Sequence, residues 1–277
     1  MSVVIAGCGA LGTKIGLRMA ASDRRVVGLR RSAALLPDMI EGVGVDLRSE
    51  KPNLPDDVDT LVVALTADEK TAAGYRATYV DGVQNLVDAL PRTVIPSVKV
   101  VFVSSTSVYG DTDGGWVDET TPEHPNTSTA EVLLEAEQRL RARLPQSVVL
   151  RLAGLYGPDR GRLVRQVRAG TATLPPHLGY TNRIHVDDAA SAIIHLTTRV
   201  QRPAQVYIGA DHEPVDRREL LRFIADELGV PRPEVDCATP DRGRGTRCRN
   251  DRLIATGFAL QFPNYREGYR TILAEQA

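Results

Sequence analysis

Cysteine is scarce, with only Cys8, Cys237 and Cys248 in the chain. Their number is odd and no two stand in CxxC spacing. That argues against a disulfide framework and a structural zinc site, and it suits a reducing compartment. The five histidines (His124, His177, His185, His195 and His212) form no HxxxH or HxH pair, so no histidine metal site is expected. Neither sign of charge dominates. The balance of 34 Lys+Arg against 35 Asp+Glu leaves a formal charge of -1 at pH 7, without the basic surplus of a general nucleic-acid or membrane-surface binder. No apolar run approaches the roughly 20 residues of a membrane helix. The opening Met1-Ser2-Val3-Val4-Ile5-Ala6-Gly7 has no basic flank, long apolar core or cleavage site, and reads as a first strand. A soluble, cytoplasmic protein is expected, with no nucleic-acid and no membrane partner.

What is present is ordinary globular composition: 277 residues, 42% hydrophobic and 25% charged. Short apolar runs at Val3–Ala6, Arg25–Leu29, Thr60–Leu65, Val98–Ser104 and Ser147–Arg151 have the length and β-branched content of buried strands. A weaker strand is expected at Gly42–Asp46. Helical spacing recurs between them at Thr13–Ala21, Ala67–Leu90 and Thr129–Leu144; Val80, Val83, Leu86, Val87 and Leu90, for example, share one face. This alternation predicts an α/β fold with a doubly wound parallel sheet. After residue 155, glycines and prolines break the pattern. Helices are expected at Arg162–Ala169, Asp187–Arg199 and Arg217–Leu228, with a strand at Gln205–Gly209. The C-terminal third therefore reads as a smaller, interleaved substrate lobe. Residues 1–156, with returns at 183–209, are expected to form the main α/β part, and 157–182 and 210–277 the lobe.

The strongest local signal is Gly7-Cys8-Gly9-Ala10-Leu11-Gly12, a GxGxxG between the first strand and the first helix. Gly7 allows the tight turn, Gly9 lets a pyrophosphate approach the backbone, and Gly12 lets the helix pack on the strand. The helix N-terminus then offers unpaired N–H groups to the diphosphate. In this context the motif marks a dinucleotide site of the Rossmann type. About 20 residues on, where an NAD site places a carboxylate for the ribose hydroxyls, the chain has Arg30-Arg31-Ser32. Guanidinium forks suit a 2′-phosphate, so NADP(H) is favoured and NAD(H) stays open. The plain alternative is that both arginines are solvated. Asp46, at the end of the next strand, is a candidate for the adenine edge or a surface carboxylate.

From Val101 the chain becomes recognisable. Ser104-Ser105-Thr106-Ser107-Val108-Tyr109-Gly110, Tyr79-Val80-Asp81-Gly82-Val83-Gln84-Asn85-Leu86, Asp118-Glu119-Thr120-Thr121-Pro122, Leu134-Glu135-Ala136-Glu137, Arg151-Leu152-Ala153-Gly154-Leu155-Tyr156-Gly157-Pro158 and Arg183-Ile184-His185-Val186-Asp187-Asp188 stand at the places of the corresponding family segments. Together they resemble the extended short-chain dehydrogenases/reductases of the NAD-dependent epimerase/dehydratase type, over nearly the whole chain. The expected cofactor set is then Gly7, Cys8, Gly9, Ala10, Leu11, Gly12, Arg30, Arg31, Ser32, Asp46, Leu65 and Thr66, to which the resemblance adds Tyr156, beside the nicotinamide. The resemblance also implies a homodimer through two helices, one of them Ala67–Leu90.

Two departures mark an atypical branch. Most extended members space the glycines GxxGxxG. More important, the family's YxxxK pair is absent: Thr129 and Leu133 stand at its positions. All four lysines, Lys14, Lys51, Lys70 and Lys99, precede that helix. The catalytic candidates are then Ser105, at the family's substrate-binding hydroxyl, and Tyr109 as proton carrier, with Tyr156 and Glu131 as alternatives. The plain alternative for Ser105 is a Ser/Thr-rich loop that satisfies its own backbone. His185 reads as an anchor for the turn before the following helix. Arg160 and Arg162 point toward the lobe. Arg242, Arg244, Arg247, Arg249 and Arg252 form either a phosphate or carboxylate clamp or a solvated loop; with no aromatic residues interleaved, they do not suggest nucleic acid. An oxidoreductase or epimerase/dehydratase acting on a hydroxyl or carbonyl substrate, such as a nucleotide sugar, is the favoured reading. The alternatives are a silent NAD(P)-binding sensor and an isomerase or lyase on the same scaffold.

Overall fold

The computed structural model describes residues 1–158, 161–238 and 243–275. The apolar runs become strands: β1 (Ser2–Ala6), β2 (Arg25–Arg30), β3 (Glu41–Gly44), β4 (Val58–Val63), β5 (Lys99–Ser105), β6 (Val148–Leu152) and β7 (Val206–Gly209). All five residues of β1 are buried, as a strand covered on both faces requires. The strands lie in the order β3-β2-β1-β4-β5-β6-β7. The β1–β2, β1–β4, β2–β3 and β4–β5 pairs are parallel. Chain direction across the sheet reverses at β1, which places a crevice at the carboxyl end of that strand. The weak β3 is an edge strand without a buried residue, and it ends before Asp46.

Helix α1 (Ala10–Ala20) starts three residues earlier than its periodicity indicated, because Gly9 serves as the N-cap. The expected helix 67–90 is the largest departure. Helical structure begins only at α2 (Ala72–Tyr75), where Thr71 Oγ1 accepts a hydrogen bond from Gly74 N at 3.1 Å. It continues through a π-helical turn at Arg76–Asp81 into α3 (Gly82–Asp88). Residues 67–70 stay outside the helix, and Asp68 is held by arginines instead. Helix α4 (Ser128–Arg143) is capped by Thr127.

Two compact units partition the chain. The first comprises residues 1–108, 125–151 and 190–207, and holds most of the sheet. The second comprises residues 109–124, 152–189 and 208–277. Segments 152–156 and 183–189, read from sequence with the main sheet, fall in the second unit. The physical reason is that Gly154–Tyr156 pairs in parallel with Arg183–His185. Within this unit α5 (Arg162–Arg168), α7 (Arg217–Leu228) and α9 (Tyr265–Ala274) enclose a core around Tyr156, Ile224 and Tyr265. Asp216 caps α7 by accepting from Arg218 N and Glu219 N, and Gly229 ends it at φ +64°. The remaining helices are α6 (Val186–Thr198) and α8 (Asp251–Ile254). Among the described residues no helix is long and apolar enough to cross a membrane.

Candidate active site

The glycine loop explains itself atom by atom. Gly7 has φ +82°, and a Cβ there would stand 2.5 Å from the Ala64 carbonyl oxygen. A Cβ on Gly12 would lie 2.7 Å from the Gly7 oxygen, so only glycine lets α1 approach the strand. Gly9 differs: its Cβ would meet nothing within 4 Å. The space it leaves is open for a ligand rather than filled by protein. Gly7 N and Cys8 N donate to the Leu29 oxygen at 3.1 and 3.2 Å, pinning the loop to β2. Helix α1 has no acidic residue in its first turn and no side-chain cap. Its first N–H groups thus lack an internal acceptor and favour an anion. Burial raises the pKa of the Cys8 thiol, with a weak opposing contact to Thr13. That shift disfavours a reactive thiolate.

A cavity of about 270 Å³ opens beside this loop, entirely within the first unit. Of the expected cofactor set it gathers Gly7, Cys8, Gly9, Arg30, Arg31, Ser32, Asp46, Leu65 and Thr66. Ala10, Leu11 and Gly12 instead form the first turn of α1. Sequence reasoning passed over Arg48, Asp68 and Thr78, which also line the cavity. The available signal was the placement of Arg48 and Asp68 two residues after Asp46 and Thr66. The π-helical turn contributes here: Tyr79, within it, donates from its hydroxyl to the Leu65 oxygen at 3.2 Å and steadies the cavity wall.

The charges around this cavity are mostly paired. Arg31 forks onto Asp68, with both N–O distances 2.7 Å. Arg48 grips Asp46 through Nε and Nη2, at 2.9 and 2.6 Å, and also reaches Asp68 at 3.2 Å. The Arg48 guanidinium holds the Asp46 carboxyl at about 2. Arg30 is the exception. Half-buried at the end of β2, it makes no side-chain hydrogen bond or ion pair among the described residues.

The other candidates lie elsewhere. Ser105 ends β5 and its Oγ accepts from Ser107 N at 3.1 Å, the local turn contact that its plain reading anticipates. Tyr109, at the end of the 3-10 turn Thr106–Tyr109, is 1% exposed. Thr129 sits in the first turn of α4, 3.3 Å from the Thr127 hydroxyl, while Leu133 is buried. Glu131 is exposed. His185 Nδ1 accepts from Asp187 N at 3.2 Å, as expected of an anchor at the start of α6.

Tyr156 belongs to the second unit and lines its cavity of about 550 Å³, together with Arg162, Arg183, Arg217 and Thr181. Its ring stacks on Tyr269 at 4.7 Å, and desolvation raises its phenol above the ordinary range. Of the later arginine group, Arg244, Arg247, Arg249 and Arg252 do not line this cavity. Arg247 lies over Trp116 and Tyr180, Arg249 over Trp116, and Arg252 is 3.6 Å from the Glu119 carboxylate. Arg244 is 3.6 Å from Asp113. Arg160 and Arg242 lie outside the described residues.

Fold and glycine loop together define a doubly wound α/β protein of the dinucleotide-binding class. Residues 3–209 match the model of the NAD-dependent epimerase/dehydratase family, and the chain belongs to that family. It is 32% identical over 273 residues to Protein YeeZ of Escherichia coli strain K12, covering 95% of this chain and 96% of YeeZ. A structure from Methylobacillus flagellatus, provisionally assigned as an NAD-dependent epimerase/dehydratase, is 34% identical with TM-score 0.81, covering 99% and 98% of the two chains. UDP-glucose 4-epimerase of Thermus thermophilus, solved with NAD, shares the fold at 21% identity and TM-score 0.81, with 99% and 98% covered.

Proposed function

We propose that this protein is an NADP(H)-binding oxidoreductase or epimerase/dehydratase that acts on a hydroxyl or carbonyl group of a small anionic substrate, such as a nucleotide sugar. The observation that carries the reading is Arg30, a guanidinium unpaired among the described residues, at the end of β2 and beside the Gly7–Gly9 loop. The open space at Gly9 and the uncapped first turn of α1 fit a diphosphate. Arg30 and the Ser32 hydroxyl fit an adenosine 2′-phosphate. A bound nicotinamide dinucleotide would supply two-electron redox chemistry. Ser105 would orient the substrate oxygen by hydrogen bonding, and Tyr109 would carry the proton in place of the missing Tyr–Lys pair. The arginines around the second unit's cavity favour a phosphate or carboxylate on the substrate. The homodimer implied by the resemblance is checked by light scattering.

Titrating NADPH and NADH by fluorescence tests the cofactor assignment. NADPH should bind more tightly, and Arg30→Ala should weaken NADPH far more than NADH; equal losses would remove the 2′-phosphate role. Screening carbonyl compounds and nucleotide sugars for loss of nicotinamide absorbance tests turnover, with Tyr109→Phe expected to abolish it. A second reading, a silent NADP(H) sensor, is favoured by Thr129 and buried Leu133 at the usual catalytic positions. Tight NADPH binding with no consumption across every substrate class would select it.

A further inference from the structure

Three guanidiniums and two carboxylates face the first unit's cavity: Arg30, Arg31, Arg48, Asp46 and Asp68. Their pairing is unequal. Asp46 is matched to Arg48, and Asp68 receives the Arg31 fork plus one contact from Arg48. Of the three guanidiniums, only Arg30 retains an uncompensated charge among the described residues. The Arg31–Asp68 pair also has a particular place in the sheet. Arg31 follows β2 and Asp68 follows the exit of β4, and these strands flank β1 on its two sides. Both flanking pairs are parallel, so all three carboxyl ends lie on one sheet edge. The ion pair therefore runs from one side of the glycine loop's strand to the other.

A guanidinium fork offers two parallel N–H bonds to a carboxylate or to a phosphate, and the two acceptors compete for the same face. Asp68 fills both positions of the Arg31 fork at 2.7 Å. The pair is about half exposed, so it is open to exchange rather than locked in a core. Its carboxylate also adds a negative charge to a cavity whose proposed guest is doubly anionic at the 2′ position.

We propose that Asp68 is a specificity-determining residue of this site: it competes with a 2′-phosphate for Arg31 and thereby limits the preference for NADP(H) over NAD(H). The inference rests on the NADP(H) reading above and extends it to a residue that no glycine-loop pattern includes. Arg30 supplies the standing attraction, while Arg31 is held back by Asp68. Replacing Asp68 with asparagine preserves the side-chain shape, removes the competing charge and releases the fork.

The test measures dissociation constants of NADPH and NADH by calorimetry for the wild type, Arg30→Ala, Arg31→Ala, Asp68→Asn and the Arg31→Ala/Asp68→Asn pair. Thermal unfolding accompanies each to show that the variant is folded. Asp68→Asn should tighten NADPH roughly tenfold and change NADH less than about twofold. Arg31→Ala alone should have little effect, and in that background Asp68→Asn should lose most of its gain. Weakened NADH with Asp68→Asn would assign the carboxylate to ribose hydroxyls and overturn the proposal. So would an unchanged NADPH-to-NADH ratio in a protein whose NADPH affinity still depends on Arg30. If Arg30→Ala leaves NADPH binding untouched, the NADP(H) reading fails first and takes the Asp68 proposal with it.

Discussion

Arg151 lies against Glu137 in the interior of the first unit, its Nη2 2.7 Å from Oε2, with both side chains essentially without solvent exposure. Ser104 Oγ donates to Oε1 of the same carboxylate. The pair ties α4 to β6, and the serine ties both to the end of β5, one residue before Ser105.

Removing one partner strands the other charge in a dry core, at a cost of about 3–5 kcal/mol. Glu137→Ala should therefore shift the urea midpoint strongly, whereas Glu137→Leu combined with Arg151→Met should recover much of the loss. A double variant no more stable than the single one would show that the surrounding core cannot accept an apolar pair.

The glycines separate folding from binding. Gly7→Ala should destabilise by more than about 1–2 kcal/mol, the cost of a left-handed backbone alone, because its Cβ also meets the Ala64 backbone. Gly9→Ala is different: φ -84° and open surroundings leave the fold intact, within about 0.5 kcal/mol. Its methyl occupies the proposed diphosphate space, so NADPH affinity should fall roughly tenfold or more. Calorimetric binding paired with thermal unfolding distinguishes the two variants, and undiminished affinity in Gly9→Ala would contradict the placement of the diphosphate.

Asp211 gives stability a pH dependence. It is 2% exposed, its Oδ1 accepts from Glu213 N at 3.1 Å, and its Oδ2 has no hydrogen-bond partner among the described residues. Burial pushes its pKa up from 3.8 to about 8. Between those values the folded state holds one proton more than the unfolded chain. Stability from this group is thus fully present below pH 3.8 and declines by about 1.4 kcal/mol per unit as pH rises toward 8. Asp211→Asn should flatten that slope in urea titrations from pH 5 to pH 8, and an unchanged slope would assign the dependence to other groups.

The single tryptophan reports on the second unit. Trp116 is 45% exposed, and the Arg247 guanidinium stands 4.9 Å from its ring and 4.8 Å from Tyr180. Arg247→Ala should cost about 0.5–1 kcal/mol and make Trp116 easier to quench with acrylamide. Unchanged quenching would mean that Arg247 does not shield the ring in solution.

Much of the first unit was legible because its signals are local. Apolar runs marked six of the seven sheet strands to within two residues, and Gly42–Asp46 located the weak β3, observed at Glu41–Gly44. The helix 67–90 was less legible: its apolar face is real, but Asp68 is drawn to Arg31 and Arg48, and Thr71 supplies the cap. Helical periodicity registers the buried face and is silent about such competing partners. The surroundings of the late arginines were illegible for the same reason, since Trp116 lies more than a hundred residues from Arg247 and becomes its neighbour only through the pairing of Trp116–Val117 with Arg247–Cys248.

By itself the chain determined that β1 is buried, that a glycine loop follows it at positions 7, 9 and 12, and that β2 ends in arginine rather than a carboxylate. Each follows from the stereochemistry or charge of residues adjacent in sequence. Tertiary structure alone decided which of Arg30 and Arg31 is free among the described residues, because Arg31 and Asp68 are 37 residues apart and meet only when the sheet places β2 and β4 on either side of β1. Charge is written in the sequence, but its compensation depends on distance, and distance between remote residues is set by packing.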